Sequence, residues 1–533
     1  MRFDLAIVGG GSAGALLAAR LSEDPTRQVV LIEAGGEPTD PDILNPQMWP
    51  AIQHRDYDWD YRTTPQPGLA GRALSWARGR GLGGSSMLHA LGHFRGCRED
   101  FAIWEEATGD PRWSWEGLMP AFLAIEDHSY GGDGIHGKGG PMPVWLPGDE
   151  VSPLARAFIE AGAGLGLKRL KGHNTGEMIG VTPNSLMIRN GKRVTTAEAW
   201  LTPAVRARTN LRLLTRTLVT RLTIAGSRIT ALETSAGRIE ADQILLSAGA
   251  LESPALLMRS GIGPEAVLAA AGIPCQLAVP ELGRNLMDHL LGAGNLYAAK
   301  RPVAPSRLQH SESMAYMRAE GFTATGQPEI VVGCGVAPIT SEMFDAPAPG
   351  TAYSLLFGVT HPTSRGEIRV SGPSPGDPLV IEPRYLSTGN DRRLFRAALK
   401  AAREIGARPE LDAWRDHEIL PGPVYTDADL DAFIAQAAIT HHHPSGTCRM
   451  GRDARAVTTP DLRLIGTDNL AVVDASVLPA LTAGPIHAAV LAIAESFARA
   501  SPEQTELATD HDPYRGIGNQ PHQTSASGAS GVF

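Results

Sequence analysis

Two stretches at opposite ends of the chain carry residue types that could do redox chemistry together. The first is Leu5-Ala6-Ile7-Val8-Gly9-Gly10-Gly11-Ser12-Ala13-Gly14. Gly9, Gly11 and Gly14 fit G-x-G-x-x-G. That spacing lets a strand turn tightly, brings backbone up to a pyrophosphate and packs the following helix closely. The second is His441-His442-His443-Pro444-Ser445-Gly446-Thr447-Cys448-Arg449-Met450-Gly451. An unperturbed imidazole titrates near pH ~6.5, so a neutral one can take a proton near neutrality. A dinucleotide that accepts hydride, beside an imidazole that accepts a proton, is the minimum needed to oxidise an alcohol.

In an extended segment, residues two apart point the same way. His441 and His443 are therefore expected to face one cavity, with His442 pointing away. Three imidazoles could also hold a metal, but no carboxylate or thiolate pair stands nearby in sequence, so none is expected.

The elements that must position these groups follow from the apolar pattern. Residues 3–8 are mostly apolar, as a buried parallel strand should be. Residues 13–21 follow a helical pattern, and 29–32 make a second strand ending in Glu33. A carboxylate there can accept bonds from an adenosine ribose and disfavours a 2′-phosphate. The glycine motif alone does not separate FAD from NAD. A second glycine-rich segment, Gly79-Arg80-Gly81-Leu82-Gly83-Gly84-Ser85-Ser86-Met87-Leu88-His89, has small residues that would let backbone lie against a flat ring system.

Further on, 211–214 and 239–247 read as strands, and 253–259 as a helix start with Pro254 in its first turn. Residues 330–336, 353–359 and 366–370 read as strands of a mainly antiparallel sheet. Residues 391–440 are Ala-rich and read as helical. A buried strand at 470–473 and a helix at 488–500 follow. The tail, 501–533, is polar and expected to be mobile.

Composition excludes several classes. A net charge of −9 leaves no basic stripe for nucleic acid. The four cysteines are too scattered for a zinc site or a disulfide framework. The longest apolar run, around 486–494, is too short to span a bilayer, and no secretory n-region precedes the first strand. A cytoplasmic protein without nucleic-acid or membrane partners is expected.

Five segments, in order, resemble the signatures of the glucose–methanol–choline (GMC) oxidoreductases. Gly79 to His89 is similar to the first signature, and Gly249-Ala250-Leu251-Glu252-Ser253-Pro254-Ala255-Leu256-Leu257-Met258-Arg259-Ser260-Gly261-Ile262-Gly263 to the second. Leu282-Gly283-Arg284-Asn285-Leu286-Met287-Asp288-His289 resembles G-x-N-L-x-D-H. His443 to Gly451 resembles H-P-x-G-T-C-x-M-G, and Val473-Asp474-Ala475-Ser476-Val477-Leu478-Pro479 resembles D-x-S-x-x-P.

The resemblance implies an α/β, Rossmann-like FAD-binding domain plus an α+β substrate domain with an antiparallel sheet covered by helices. The expected ranges are 1–150, 191–297 and 441–500 for the first domain, and 151–190 and 298–440 for the second. It implies FAD rather than a nicotinamide. Gly9, Gly11, Ser12, Ala13, Gly14, Glu33, Val219, Asp474 and Ala475 would contact the cofactor. Gly83, Gly84, Ser85 and His89 would approach its ring or pyrophosphate. His89 replaces the family's usual asparagine. The position that carries a covalent histidyl link in some members is Leu88 here, so noncovalent FAD is expected.

His443 matches the family's general base. The second active-site position falls at His487 or, with a slip of two residues, at Pro485. The His441-x-His443-Pro444 arrangement, with Pro485, resembles the vitamin B6 branch of the family. That implies a hydroxymethylpyridine substrate, pyridoxine oxidised to pyridoxal, with His441 binding a ring substituent. Aryl, aliphatic and choline-like alcohols, and cyanohydrin cleavage without net redox, stay open. Electrons are expected to pass to O2 or another electron acceptor.

Overall fold

The computed structural model describes residues 1–424 and 426–500; the tail expected to be mobile lies outside them. The chain opens with β1 (Arg2–Val8), α1 (Ser12–Leu21) and β2 (Val29–Ile32). After a long, mostly irregular stretch come β3 (Leu211–Leu214), β4 (Val219–Ala225), β5 (Arg228–Thr234), β6 (Gly237–Leu246) and α2 (Gly249–Arg259). Next are β7 (Leu290–Ala299), β8 (Ser311–Met317), β9 (Ile330–Gly335) and β10 (Ala352–Val359). Then follow α3 (Gly389–Gly406), β11 (Arg415–Leu420), β12 (Ala438–Thr440), β13 (Leu470–Val472) and α4 (His487–Arg499).

Two sheets organise these elements. The first has strand order β3-β2-β1-β6-β5-β4, with β13 also paired to β6. Its centre, β3-β2-β1-β6-β13, is parallel, and β5 and β4 extend it antiparallel. Leu5–Val8, Val29–Ile32 and Leu470–Val472 are buried, as strands covered on both faces must be. On this sheet α1 packs against α4. Arg20 of α1 holds the buried carboxylate of Glu495 of α4 with both Nε and Nη2, at 2.8 and 3.0 Å. The first and last of these helices thus pack together although they lie at opposite ends of the sequence.

The second sheet is antiparallel, in the order β8-β9-β10-β7-β11, with β12 paired to β7. On it lies α3, which buries Leu394, Phe395, Ala398, Leu399, Ala402 and Ile405, a stripe at helical spacing. The expected boundary at residue 297 falls inside β7, which belongs wholly to this sheet, so the second sheet starts at Leu290.

Three other expectations are corrected. The stretch 391–440 is not continuously helical. Pro409 opens a 3-10 turn after α3, and Pro421, Gly422 and Pro423 interrupt again, leaving β11 between them. The strand Glu367–Val370 pairs with Leu379–Glu382 in a separate ribbon rather than joining the large sheet. Finally, α2 begins at Gly249, so Pro254 lies inside it rather than in its first turn. That early start is stabilised because the Ser253 hydroxyl accepts from Ala248 N.

Candidate active site

The opening glycines behave as their spacing demands. Gly9 has φ +99°, and a Cβ on Gly14 would stand 1.8 Å from the Gly9 carbonyl oxygen. The second glycine segment packs directly on the first. Gly83 N donates to Gly10 O at 2.8 Å, and a Cβ on Gly84 would lie 2.6 Å from Gly11 Cα. Glu33 is buried at the end of β2 and accepts from Gly10 N at 2.7 Å and Gly35 N at 2.8 Å. Burial pushes its carboxyl pKa up, against the pull of those backbone donors.

The distant signatures form adjacent layers. Asp474 is buried, and its carboxylate accepts from Gly249 N (2.8 Å), Ser253 Oγ (2.5 Å), Ser476 N (2.8 Å) and Ser476 Oγ (2.6 Å). It therefore clamps the start of α2 to the segment after β13. The His-Pro segment runs along that segment: Cys448 N donates to Ser476 O, and Met450 N to Val477 O, each at 2.8 Å. On its other side, Ser445 and Met287 exchange backbone bonds at 3.0 Å.

One continuous cavity of about 830 Å³ joins these layers. Gly9, Gly11, Ser12, Ala13, Glu33, Gly84, Ser85, His89, Val219, Asp474 and Ala475 line it, and so do His441, His443, Pro485 and His487. Gly14 and Gly83 do not; they shape the wall from behind. At the histidine side the lining is apolar, with Phe94, Leu291, Met314, Ile339, Leu356 and Ile439.

The hydrogen bonds at His443 decide what its ring can do. His289 Nε2 lies 2.7 Å from the Thr360 carbonyl, which only accepts, so Nε2 carries a proton. Neutral His289 then presents Nδ1 as an acceptor, 2.8 Å from His443 Nδ1. His443 must donate through Nδ1, which leaves the lone pair on Nε2. Burial holds the pKa of His289 at about 4 and that of His443 well below its ordinary value, so both rings are neutral at neutral pH. Asp288 anchors the segment: its Oδ1 accepts from His443 N and its Oδ2 from Thr440 Oγ1, each at 2.6 Å. Burial raises the Asp288 carboxyl to about 6.

His441 and His443 do face each other, with ring centres 4.4 Å apart, although the segment is not extended. His442 has φ +62°. It too lines the cavity, and its carbonyl accepts from Arg78. His289, His441 and His443 offer ring nitrogens close enough together to hold a metal ion. Of these, His289 bonds the Thr360 carbonyl through one ring nitrogen and His443 through the other.

His487, one of the two residues expected at the second active-site position, lines the same cavity as His443. Its Nε2 meets Ser12 Oγ at 3.1 Å and its ring stands edge-on to His89, ring centres 4.9 Å apart. It belongs to the wall beside the glycine turn. Pro485 lines the cavity near Gly92 and Phe94. Sequence reasoning gave no role to Asp288 or His289, although both stand in a quoted signature. Thr360 carried no signal at all.

GMC oxidoreductase models match residues 3–291 and 362–494. Pyridoxine 4-oxidase from Microbacterium luteolum is 70% identical over 500 residues, covering 93% of this chain and 99% of its own. The chain belongs to the GMC oxidoreductase family. An oxygen-dependent choline dehydrogenase from Serratia proteamaculans is 34% identical, over 98% of this chain and 99% of its own. The crystal structure of pyridoxine 4-oxidase from Mesorbium loti superposes with a TM-score of 0.92 at 68% identity, over 93% of this chain and 98% of that one.

The cofactor of this GMC oxidoreductase is FAD, and the cavity fits it. The two glycine turns meet where a side chain would collide. His89 Nε2 and His487 Nδ1 are buried without partners on the cavity wall, and buried polar atoms of this kind call for a bound polar group.

Proposed function

We propose that this GMC oxidoreductase oxidises the primary alcohol of a hydroxymethylpyridine, pyridoxine to pyridoxal, with O2 as the final acceptor. The relay from Thr360 through His289 to His443 carries the reading, because it leaves one imidazole lone pair on the wall of the cofactor cavity. FAD supplies the hydride acceptor when bound. His443 Nε2 takes the hydroxyl proton, and the Nδ1–H bond to His289 strengthens as positive charge develops on the ring. His441, 4.4 Å away, positions the substrate ring, and the apolar lining excludes water from it.

The charges of the cavity favour a neutral aromatic alcohol over a quaternary ammonium. Each lining carboxylate already has a partner. Glu342 is bidentate with Arg72, at 2.9 and 2.8 Å. Asp60 meets His54 at 2.6 Å, Glu252 meets Arg259 at 2.9 Å, and backbone or hydroxyl donors hold Glu33 and Asp474. The 70% identical relative, named pyridoxine 4-oxidase, supports the same choice. Steady-state peroxide formation from pyridoxine, benzyl alcohol and choline tests it: pyridoxine is expected to have the highest kcat/KM, and its failure to turn over ends the reading. Noncovalent attachment is part of the proposal, since Leu88 offers no nucleophile. Acid precipitation should release all the flavin into the supernatant.

A further inference from the structure

Arg193 is a fully buried guanidinium, and no carboxylate among the described residues pairs with it. Its Nε donates to Ile43 O at 2.7 Å. Its Nη1 reaches Ser86 O at 3.2 Å, His89 O at 2.6 Å and His89 Nδ1 at 2.9 Å. Burial lowers its pKa to about 9, so it stays cationic at neutral pH. An uncompensated buried cation is costly, and the mechanism above does not use it.

The contact with His89 has a chemical consequence. Arg193 can only donate, and Leu91 N also donates to the same His89 Nδ1, at 3.1 Å. Neutral His89 therefore carries its proton on Nε2, the atom that is buried without a partner in a cavity-lining residue. This is the opposite tautomer to that of His443. Beside it stands His487, itself bonded to Ser12 of the glycine turn.

We propose that Arg193 and His89 form an anion-stabilising subsite for the reduced FAD ring, His89 as the donor that touches it and Arg193 as the positioning cation behind. The inference rests on FAD binding in this cavity. In the proposed oxidation the hydroxyl proton would go to His443 and the hydride to bound FAD, releasing the aldehyde. A ring that accepted the hydride would gain two electrons and one proton, hence one negative charge. A directed N–H backed by a cation favours that charged state over the oxidised one.

The test is the midpoint potential of the bound flavin, measured by dye equilibration without substrate, so that a wrong substrate assignment cannot affect it. Losing one charge-assisted hydrogen bond should weaken reduction by about 10–100-fold, equivalent to about 30–60 mV for a two-electron couple. Arg193→Met and His89→Phe should both shift to more negative potential by that amount. His89→Gln, which keeps a side-chain N–H, should lose less than half as much. A purely structural brace would loosen FAD equally in all three variants without moving the potential. If Arg193→Met fails to fold, His89→Phe decides alone. A wild-type potential in the folded, flavin-bearing variants overturns the proposal.

Discussion

His289 should be the residue whose loss most clearly separates positioning from packing. In His289→Leu the acceptor 2.8 Å from His443 Nδ1 disappears. Two things then happen to the base. Its resting tautomer is no longer selected, so part of the population turns its lone pair away from the cavity. The imidazolium that forms during proton transfer also loses a charge-assisted hydrogen bond, worth about 1.5–3 kcal/mol. Together these predict a fall of about 10–150-fold in the rate of substrate-driven flavin reduction. Asparagine can place its Oδ1 near the position of the histidine Nδ1, so His289→Asn should recover most of the rate. The assay is anaerobic stopped-flow bleaching of the flavin, which isolates the step from reoxidation. Wild-type bleaching in His289→Leu would refute the relay. So would an Asn variant as slow as the Leu variant, since the loss would then come from disturbed packing.

Three further outcomes follow from the same structure. His443→Ala should lower turnover by about 10²–10⁴-fold, the range of a lost general base, while visible absorbance shows FAD still bound; near-normal turnover would remove His443 from the mechanism. Gly84→Ala should purify with little flavin, because the new Cβ lies 2.6 Å from Gly11 Cα and Gly84 has φ +51°; full flavin content would show that the turns can separate cheaply. Conformational stability of the apoprotein should fall on acidification from pH 7 to 5. The pKa values of His441, His442 and His487 are held at about 3 and that of His289 at about 4, so below pH ~6.5 the unfolded chain binds protons that the native state refuses. That contribution is intact above about pH 6.5 and is lost progressively as pH drops toward the native values. Asp288, raised to about 6, acts in the opposite sense and offsets roughly one imidazole. A urea midpoint that is flat between pH 7 and 5 would contradict the buried, neutral assignment.

Much of the fold was legible because its period was unambiguous. β2 and β3 were expected at their observed bounds, and β1, β9, β10, β13 and α4 within one residue at each end, since each is an apolar run bounded by turn residues or charge. The errors fell where composition misleads. Alanine suggested one helix across 391–440, but the prolines at 409, 421 and 423 break it, and pairing with β7 turns 415–420 into a strand. The site was legible as far as local spacing reaches. The glycine turn, Glu33 and the facing pair His441 and His443 are all properties of short segments. Partners contributed from elsewhere were not. Nothing around Thr360 or Arg193 marks the first as the carbonyl that sets a tautomer or the second as a cation behind an imidazole. For His487, spacing places the residue along the chain, and only the bond to Ser12 shows which way its ring turns.

The histidines of this cavity are chemically divided by those remote partners. A backbone carbonyl at one end of a relay leaves His443 with a free lone pair. A guanidinium makes His89 carry its proton outward. In the proposed reaction both polarities have a use: an acceptor for the hydroxyl proton and a donor toward the charge that hydride would leave on the ring. If the two rings were free to exchange tautomers, each would compete for the other's task and part of the population would be unproductive in both. Holding them in opposite forms through groups that cannot change their own role, a carbonyl that only accepts and an arginine that only donates, removes that loss without moving any pKa into the working range. Burial, which keeps both imidazoles neutral, is what allows tautomer rather than charge to carry the distinction.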